Sequence, residues 1–416
     1  MNLSGRIESS LIPELLALIR LVRTEAEKLG LPLFIVGGSV RDLVLGRAVN
    51  DFDLTVEGDA IALARALAKK HGGPLTVHSK FGTAKWFLPD KLKPEISAHD
   101  TLDIVSARSE FYKHPAALPT VKLGSIEDDI RRRDFTINAL AIRLDGSHFG
   151  ELRDDLNGMD DLQNGIVRVL HPRSFPDDPT RMYRAVRYEK RYQFKIAEDT
   201  LALIPQARSL IERLSAQRIR RELDLILEER NALSMLRRLD GLDLLEPVHP
   251  ALSDFNQSNL AALKRHSLPA QNRNSGWLLW LMHLPEQEIE SINKRLSFSA
   301  SLLRSLLAAS AIYADLVSFA SLKPSQCVNR LDAYPIAAVE AVYHVIPDKK
   351  IKELFFNYLS EWRHIKPRIT GHDLKKRGIE PGPKYAEILQ RLRAAWLDGE
   401  VKTEEEELSM LSNLIR

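Results

Sequence analysis

The sequence predicts an α+β head followed by an all-α neck, body and tail. Three observations predict it. Short runs rich in β-branched and aromatic residues, punctuated by Gly, Pro and Asp, occur only up to about residue 150. Helical apolar periodicity then takes over almost without interruption. The chain, at 416 residues, is too long for one ordinary core, so two to four packed units with a cleft between units are expected.

Taken in order, "LIPELLALIRLVRTEAEKL" (Leu11 to Leu29) has helical apolar spacing and stops at Gly30. The runs "LFIVGG", "DFDLTVEG", "TAKWFL" and "LDIVSAR" read as strands. Between them "DAIALARALAKKHG" and "RRRDFTINALAIRL" have helical spacing, and "VRDLVLG" reads as a short helix. After the polar stretch "LRDDLNGMDDLQNG", "TRMYRAVRYEKRY", "SAQRIRRELDLILEE", "NALSMLRRLDGLDLL" and "SASLLRSLLAASAIYADLVSFASL" are all helical. The acidic run in "KTEEEELSML" reads as a solvated helix face.

Composition narrows the class. Hydrophobic content of 44% with 28% charged residues is that of a globular protein. The longest apolar run, Trp277 to Leu284, is far short of the roughly 20 residues a membrane span needs. The N-terminal "MNLSGRIESS" lacks a basic segment followed by an apolar one, so a cytoplasmic location is the expectation. One cysteine, Cys327, excludes an internal disulfide framework and a cysteine-clustered zinc site, and reads as a buried small hydrophobe. Net charge of +3 permits a nucleic-acid partner without requiring one. Its distribution is more telling: Arg181 to Lys195 gathers basic residues with aromatics between them.

The segment "FIVGGSVRDLVLGRAVNDFDLTVEG" carries the chemistry. Gly37 and Gly38 allow close backbone approach to a ligand, and the turn into the short helix presents amides to an anion. Arg41 adds a planar fork for phosphate oxygens. In a strand, Asp51 and Asp53 project to one side, where they repel unless a divalent cation lies between them. Hard oxygen ligands in small number suit Mg²⁺. A glycine turn for a triphosphate followed by a paired-carboxylate metal site is what nucleotidyl transfer requires, and Asp103 in "LDIVSAR" is the candidate third carboxylate.

With "RRRDFTINALAI", "DLNGMDDLQNGIVRVL", "DDPTRMYRAVRYEKRY" and "AQRIRRELDLIL" following in that order, the chain resembles class II CCA-adding tRNA nucleotidyltransferases and bacterial poly(A) polymerases. The C-terminal "TGHDLKKRGIEPGPKYAEILQRLRAAWLDGEV" is similar to the tail of long members of that family. The resemblance implies a head of nucleotidyltransferase type, a small β-sheet with helices, over residues 1–150. It implies a helical neck with the nucleotide-selecting motif over 151–235, and a helical body and tail that bind tRNA over 236–416. It implies nucleotide contacts at Gly38 and Arg41, Mg²⁺ at Asp51 and Asp53, and Arg133 near the triphosphate or ribose. Asp134 and Asn138 are expected to brace that segment.

The resemblance also assigns Asp178 and Arg181 to the incoming base, with Arg184 and Arg187 at the nucleotide. On a helix, Arg181, Arg184, Arg187 and Arg191 fall within an arc of about 120°, one basic stripe. An ionised Asp only accepts and an Arg only donates. Cytosine and adenine both pair an exocyclic amino donor with a ring-nitrogen acceptor, so together these two residues match C and A and misalign with U and G. The family usually has Glu-Asp where this chain has Asp177-Asp178.

The expected activity is template-independent addition of C, C and A, or part of CCA, to tRNA 3′ ends from CTP and ATP with release of pyrophosphate. Addition of A only, addition of CC only and a poly(A) polymerase are alternatives within the family, and a catalytically silent RNA-binding protein is the alternative outside it. Arg218, Arg220, Arg221 and the basic residues of "HDLKKRG" are candidate tRNA phosphate contacts. His372-Asp373 has no companion histidines and reads as a helix start. The segment "EFYKHPAALPTVKLGSIEDDI" is expected to contain a flexible loop governing the switch from C to A.

Overall fold

The computed structural model describes residues 1–49, 54–93, 100–256, 259, 262 and 274–415. It forms two compact units, one of Met1–Ser215 with Gly241–Pro247 and one of Ala216–Asp240 with Val248–Arg416.

The first unit opens with α1 (Ser4–Ser10) and α2 (Pro13–Lys28), and α2 ends where Gly30 adopts φ +66°. Then come β1 (Leu33–Val36), α3 (Gly38–Val44), β2 (Leu54–Val56) and α4 (Ala60–His71). β3 (Leu75–His78), β4 (Thr83–Phe87) and β5 (Thr101–Ser106) follow. β6 (Arg108–Phe111), β7 (Thr120–Leu123), α5 (Ile126–Arg131), β8 (Ala141–Arg143) and β9 (Leu152–Arg153) come next. The unit continues with α6 (Gly158–Gln163), β10 (Ile166–Val167), α7 (Ser174–Asp177), α8 (Thr180–Tyr192) and β11 (Lys195–Ile196).

Seven strands form one sheet in the order β3-β4-β5-β2-β1-β8-β9. Only the central β2–β5 pair is parallel, with Leu54 registered on Ile104. Its middle strands are short and apolar because both faces are covered: all four residues of β1 are buried, as are Leu54, Val56 and Ile104. α4 packs on β4 and β5 through Leu63, Ala64 and Leu67. Its start is fixed by the Asp59 carboxylate, which accepts from the amides of Ile61 and Ala62 at 2.9 and 3.0 Å. Trp86, fully buried, donates its indole N–H to the Gly72 carbonyl at 2.9 Å.

One expectation for the head is corrected. "RRRDFTINALAIRL" is not a helix: the chain leaves α5 at Arg131, makes a tight turn at Thr136–Asn138 and enters β8, which pairs with β1. Ala139 to Ile142 are buried on every side. A short apolar run of that kind has no periodicity to separate strand from helix, and the open edge of β1 decides. The segment "EFYKHPAALPTVKLGSIEDDI", expected to contain a flexible loop, also holds regular structure. β6 and β7 pair as an antiparallel hairpin from Arg108↔Leu123 to Phe111↔Thr120, leaving residues 112–119 as its connection. Pro119 and Gly124 flank β7 and hide a four-residue strand between two turn signals.

The second unit is helical throughout its described elements. Trp277 and Trp280 stack with centroids 5.4 Å apart, Phe298 meets Trp277 edge-on, and the Trp277 indole donates to Asp224 at 2.6 Å. Cys327 is buried, which pushes its thiol up to about 12. His372-Asp373 does begin a helix, Gly371–Lys376, whose capping box pairs Thr370 with Asp373. The tail has its own apolar cluster of Ile369, Leu374, Ile388, Leu392 and Leu411. In the acidic run Glu404, Glu405 and Glu406 are exposed, as a solvated face requires, and only Glu407 departs from expectation. Glu407 is fully buried and accepts from the amides of Arg368 and Ile369 at 3.2 and 3.1 Å. Among the described residues no helix is long and apolar enough to cross a membrane.

Candidate active site

A cleft of about 760 Å³ opens in the first unit where the ends of β1, β2, β4 and β5 meet α3, the hairpin, the segment after α5 and the end of α8. Six of its lining residues are arginines, at 41, 47, 108, 132, 133 and 191, and one described lining residue, Asp42, is acidic. That imbalance makes it a receptor for an anion of nucleotide size.

β1 is brought to the cleft by a turn that only glycine suits. Gly37 has φ +78°, and a Cβ there would collide with the Arg133 guanidinium, which Asp129 holds at 2.8 Å. At Gly38 a Cβ would lie 3.3 Å from Arg41 Nη2. Arg41, only 5% exposed, is fixed on three nitrogens: Nε and Nη2 donate to Asp42 at 3.0 Å each, and Nη1 to Asn138 at 2.5 Å. Its guanidinium lies 4.6 Å from the Tyr192 ring centroid and 5.2 Å from that of Tyr188. The Tyr192 hydroxyl donates to Asp42 at 3.1 Å.

The chain of contacts continues inward. Asn138 Nδ2 donates to Asp134 Oδ1 at 2.8 Å, and Arg184 Nε donates to Asp134 Oδ2 at 2.8 Å. Burial by itself would raise the Asp134 carboxyl, but Arg184 and Asn138 outweigh it and hold it at about 2. Asp134 is thus an ionised strut between the α3 turn and α8, in line with the bracing role expected of it and Asn138.

Of the residues singled out in the sequence, Gly38, Arg41 and Arg133 line the cleft, and Gly37 is seated against Arg133. Asp51 and Asp53 lie outside the described residues. Asp103 shares a face of β5 with the cleft-lining Val105. Its Oδ2 pairs with Lys85 at 3.2 Å, while Oδ1 is buried with no partner among the described residues. Among those residues no group of three or more His, Cys, Asp or Glu is placed to hold a metal.

Asp178, Arg181, Arg184 and Arg187 are not among the residues that line the cleft. Asp178 accepts from the Thr180 amide and hydroxyl at 2.9 and 2.6 Å and so fixes the start of α8. Arg181 donates to Ser174 Oγ at 2.7 Å and to the Arg132 carbonyl at 2.8 Å. Arg181 and Arg187 are each 6% exposed, so this part of the stripe faces inward. Sequence reading missed Arg108, Arg132, Tyr188 and Tyr192. The four-residue spacing from Arg184 to Tyr188 to Tyr192 was the available signal for a shared helix face.

This mixed sheet with a glycine turn and an arginine-lined cleft defines a nucleotidyltransferase of the poly(A) polymerase head class: the family described as "Poly A polymerase head domain" matches residues 33–168. The family described as "Probable RNA and SrmB- binding site of polymerase A" matches residues 193–256. An A-adding tRNA nucleotidyltransferase of Halalkalibacterium halodurans is 32% identical over 98% of this chain and 94% of its own length. One of Geobacter sulfurreducens is 34% identical over 96% of this chain, which spans about half (47%) of that longer relative. The chain belongs to the tRNA nucleotidyltransferase family, a family of RNA nucleotidyltransferase enzymes. A CCA-adding enzyme in an apo form superposes with a TM-score of 0.82 at 30% identity, covering 99% of both chains. A CCA-adding enzyme complexed with ATP gives 0.79 at 29% identity, covering 100% of this chain and 98% of that one. The Thermotoga maritima CCA-adding enzyme complexed with tRNA gives 0.77 at 28%, covering 100% of this chain and 99% of that one.

Proposed function

We propose that this chain transfers AMP from ATP to the 3′ end of a tRNA ending in CC, without a nucleic-acid template, acting in the cytoplasm. The observation that carries the reading is the cleft that gathers Gly38, Arg41 and Arg133 with four further arginines and a volume suited to a nucleotide. The A-adding relatives, matched nearly end to end in one case, support addition of A. The ATP-bound and tRNA-bound solved structures support the two substrates.

Within that reading, residues 1–150 do the chemistry, 151–235 select the nucleotide and 236–416 hold tRNA. Gly37, Gly38, Arg41 and Arg133 receive the triphosphate. Asp178 and Arg181 accept from and donate to the base edge, with Arg184 and Arg187 at the nucleotide behind them. The donor set for a divalent cation is Asp51, Asp53 and Asp103. Asp103 fits it: its buried Oδ1 lacks a partner among the described residues, and its neighbour Ile104 is registered on Leu54, the residue that follows Asp53 in the chain. When bound there, Mg²⁺ would polarise the α-phosphate and favour the deprotonated primer hydroxyl.

Full CCA addition is the second reading, favoured by the CCA-adding enzyme that superposes over 99% of the chain. Purified protein given Mg²⁺ and one nucleotide at a time, with tRNA ending before C, after C and after CC, separates the two. AMP incorporated only onto the CC-ended primer is the expected result, and CMP incorporation onto the shorter primers would establish the second. Loss of transfer in Asp51→Ala with tRNA binding retained is expected in either case. Transfer undiminished in that variant would remove the carboxylate pair from the mechanism, and no transfer by the wild type on any primer would leave an RNA-binding protein.

A further inference from the structure

Three guanidinia and two carboxylates form one cluster at the cleft: Arg108 and Glu110 on β6, Asp129 in α5, and Arg132 and Arg133 just beyond it. Asp129, 1% exposed, gives Oδ1 to Arg132 Nε and Nη2 at 2.9 and 2.7 Å and Oδ2 to Arg133 Nη2 at 2.8 Å. Glu110 Oε1 takes Arg132 Nη1 at 3.0 Å, and its Oε2 accepts from the Tyr112 hydroxyl at 3.0 Å. Arg132 is therefore paired on three nitrogens. Arg108 reaches Glu110 only at 3.4 Å through Nη2. The Nε atoms of Arg108 and Arg133 are buried without a hydrogen-bond partner among the described residues.

The cluster carries three positive and two negative charges among the described residues. Asp178 and Arg181, whose charges also reach Tyr112, add one of each sign and leave that balance unchanged. Burial, followed by the neighbouring Arg132, holds the Arg108 guanidinium below the ordinary arginine range. Among the described residues, buried donors without a partner and a guanidinium that meets its carboxylate only at 3.4 Å, on the wall of the cleft, suit an oxyanion. A guanidinium fork presents parallel N–H groups that suit a phosphate.

We propose that Arg108, acting with Arg133, binds a phosphate group of the incoming nucleoside triphosphate. This rests on the nucleotidyl-transfer reading above and adds a phosphate contact from the hairpin side, at the end of the "LDIVSAR" run that marked the site only through Asp103. The alternative source of the same oxyanion is the tRNA backbone.

The test uses the full chain and its Arg108→Gln and Arg108→Lys variants, with inorganic tripolyphosphate titrated calorimetrically in the absence of metal and RNA. Arg108→Gln is expected to weaken tripolyphosphate binding and raise the KM for ATP by about tenfold. The melting temperature of the unliganded protein should hold or rise, because the change removes an under-paired cation. Arg108→Lys, keeping charge without the fork, should recover part of the binding. Unchanged tripolyphosphate binding overturns the proposal. If the unliganded protein then melts lower, Arg108 is structural, and if tRNA binding weakens instead, the oxyanion belongs to the RNA. A wild type that binds tripolyphosphate but transfers no nucleotide would sink the functional reading alone.

Discussion

At Gly37 and Gly38 two adjacent glycines do different work. Gly37 is required twice, by φ +78° and by the Arg133 guanidinium seated where a side chain would begin. Gly38 has ordinary backbone geometry and faces the cleft. Gly37→Ala should therefore cost about 1–3 kcal/mol of stability through strain and displaced Arg133. Gly38→Ala should leave stability within about 1 kcal/mol and act mainly on the KM for ATP. Urea unfolding and initial-rate kinetics on both variants check this, and equal stability losses would contradict it. Asp134 supplies a pH-dependent counterpart. Its carboxyl sits at about 2 when folded, below the ordinary aspartate value of about 3.9, so its contribution is complete above about pH 4 and is lost as pH falls toward 2. The difference corresponds to roughly 2 kcal/mol. Asp134→Asn should destabilise at neutral pH, with the gap to wild type narrowing below pH 4 in urea titrations. A gap independent of pH would mean that Asp134 is not an ionised strut. Of these groups, Gly38, Arg41 and Arg133 were legible because they stand in short motifs. Tyr192 was not, since its partner Asp42 lies 150 residues away and no local pattern records that distance.

The elements read from periodicity alone divide by how they are covered. α2, α4 and α8 show one apolar face and were placed from the sequence to within a few residues. β8 failed because all its neighbours are apolar, and the β6–β7 hairpin failed because its strands are four residues long between turn signals. The hairpin matters to the site, since it carries Arg108 and Glu110 to the cleft. In the terminal helix Glu404–Ile415 the charged run read as solvated is exposed at Glu404, Glu405 and Glu406, while Glu407 is buried and satisfies two backbone amides. Glu407→Ala would leave the buried Ile369 amide without an acceptor, at about 1–3 kcal/mol, and the partly buried Arg368 amide at less. Glu407→Gln keeps one side-chain oxygen and should cost clearly less. Limited proteolysis should release the tail apolar cluster, residues 369–415, earlier in Glu407→Ala than in Glu407→Gln or wild type. Equal rates in all three would show that those amides do not depend on the side chain.

On the scale of the whole molecule, each unit has its own core. The first is organised by the seven-stranded sheet with Trp86 inside it, the second by helices around Trp277 and Trp280. Four of the five tryptophans, at 277, 280, 362 and 396, belong to the second unit, so indole emission follows mainly that unit while strand-derived ellipticity follows the first. The proposed ATP site lies wholly within the first unit. A ligand that binds only the folded form at about 100 times its Kd stabilises by about 2.7 kcal/mol. For a unit of this size that moves a melting midpoint by roughly 5–10 °C. Heating with and without ATP should therefore shift the strand-weighted ellipticity transition by that amount and the indole transition by much less, so the two probes cease to coincide. Should both transitions move together by the same amount, the units unfold as one cooperative body. ATP binding in the head would then stabilise the helical unit as well, and variants anywhere in the chain would have to be compared at equal nucleotide concentration.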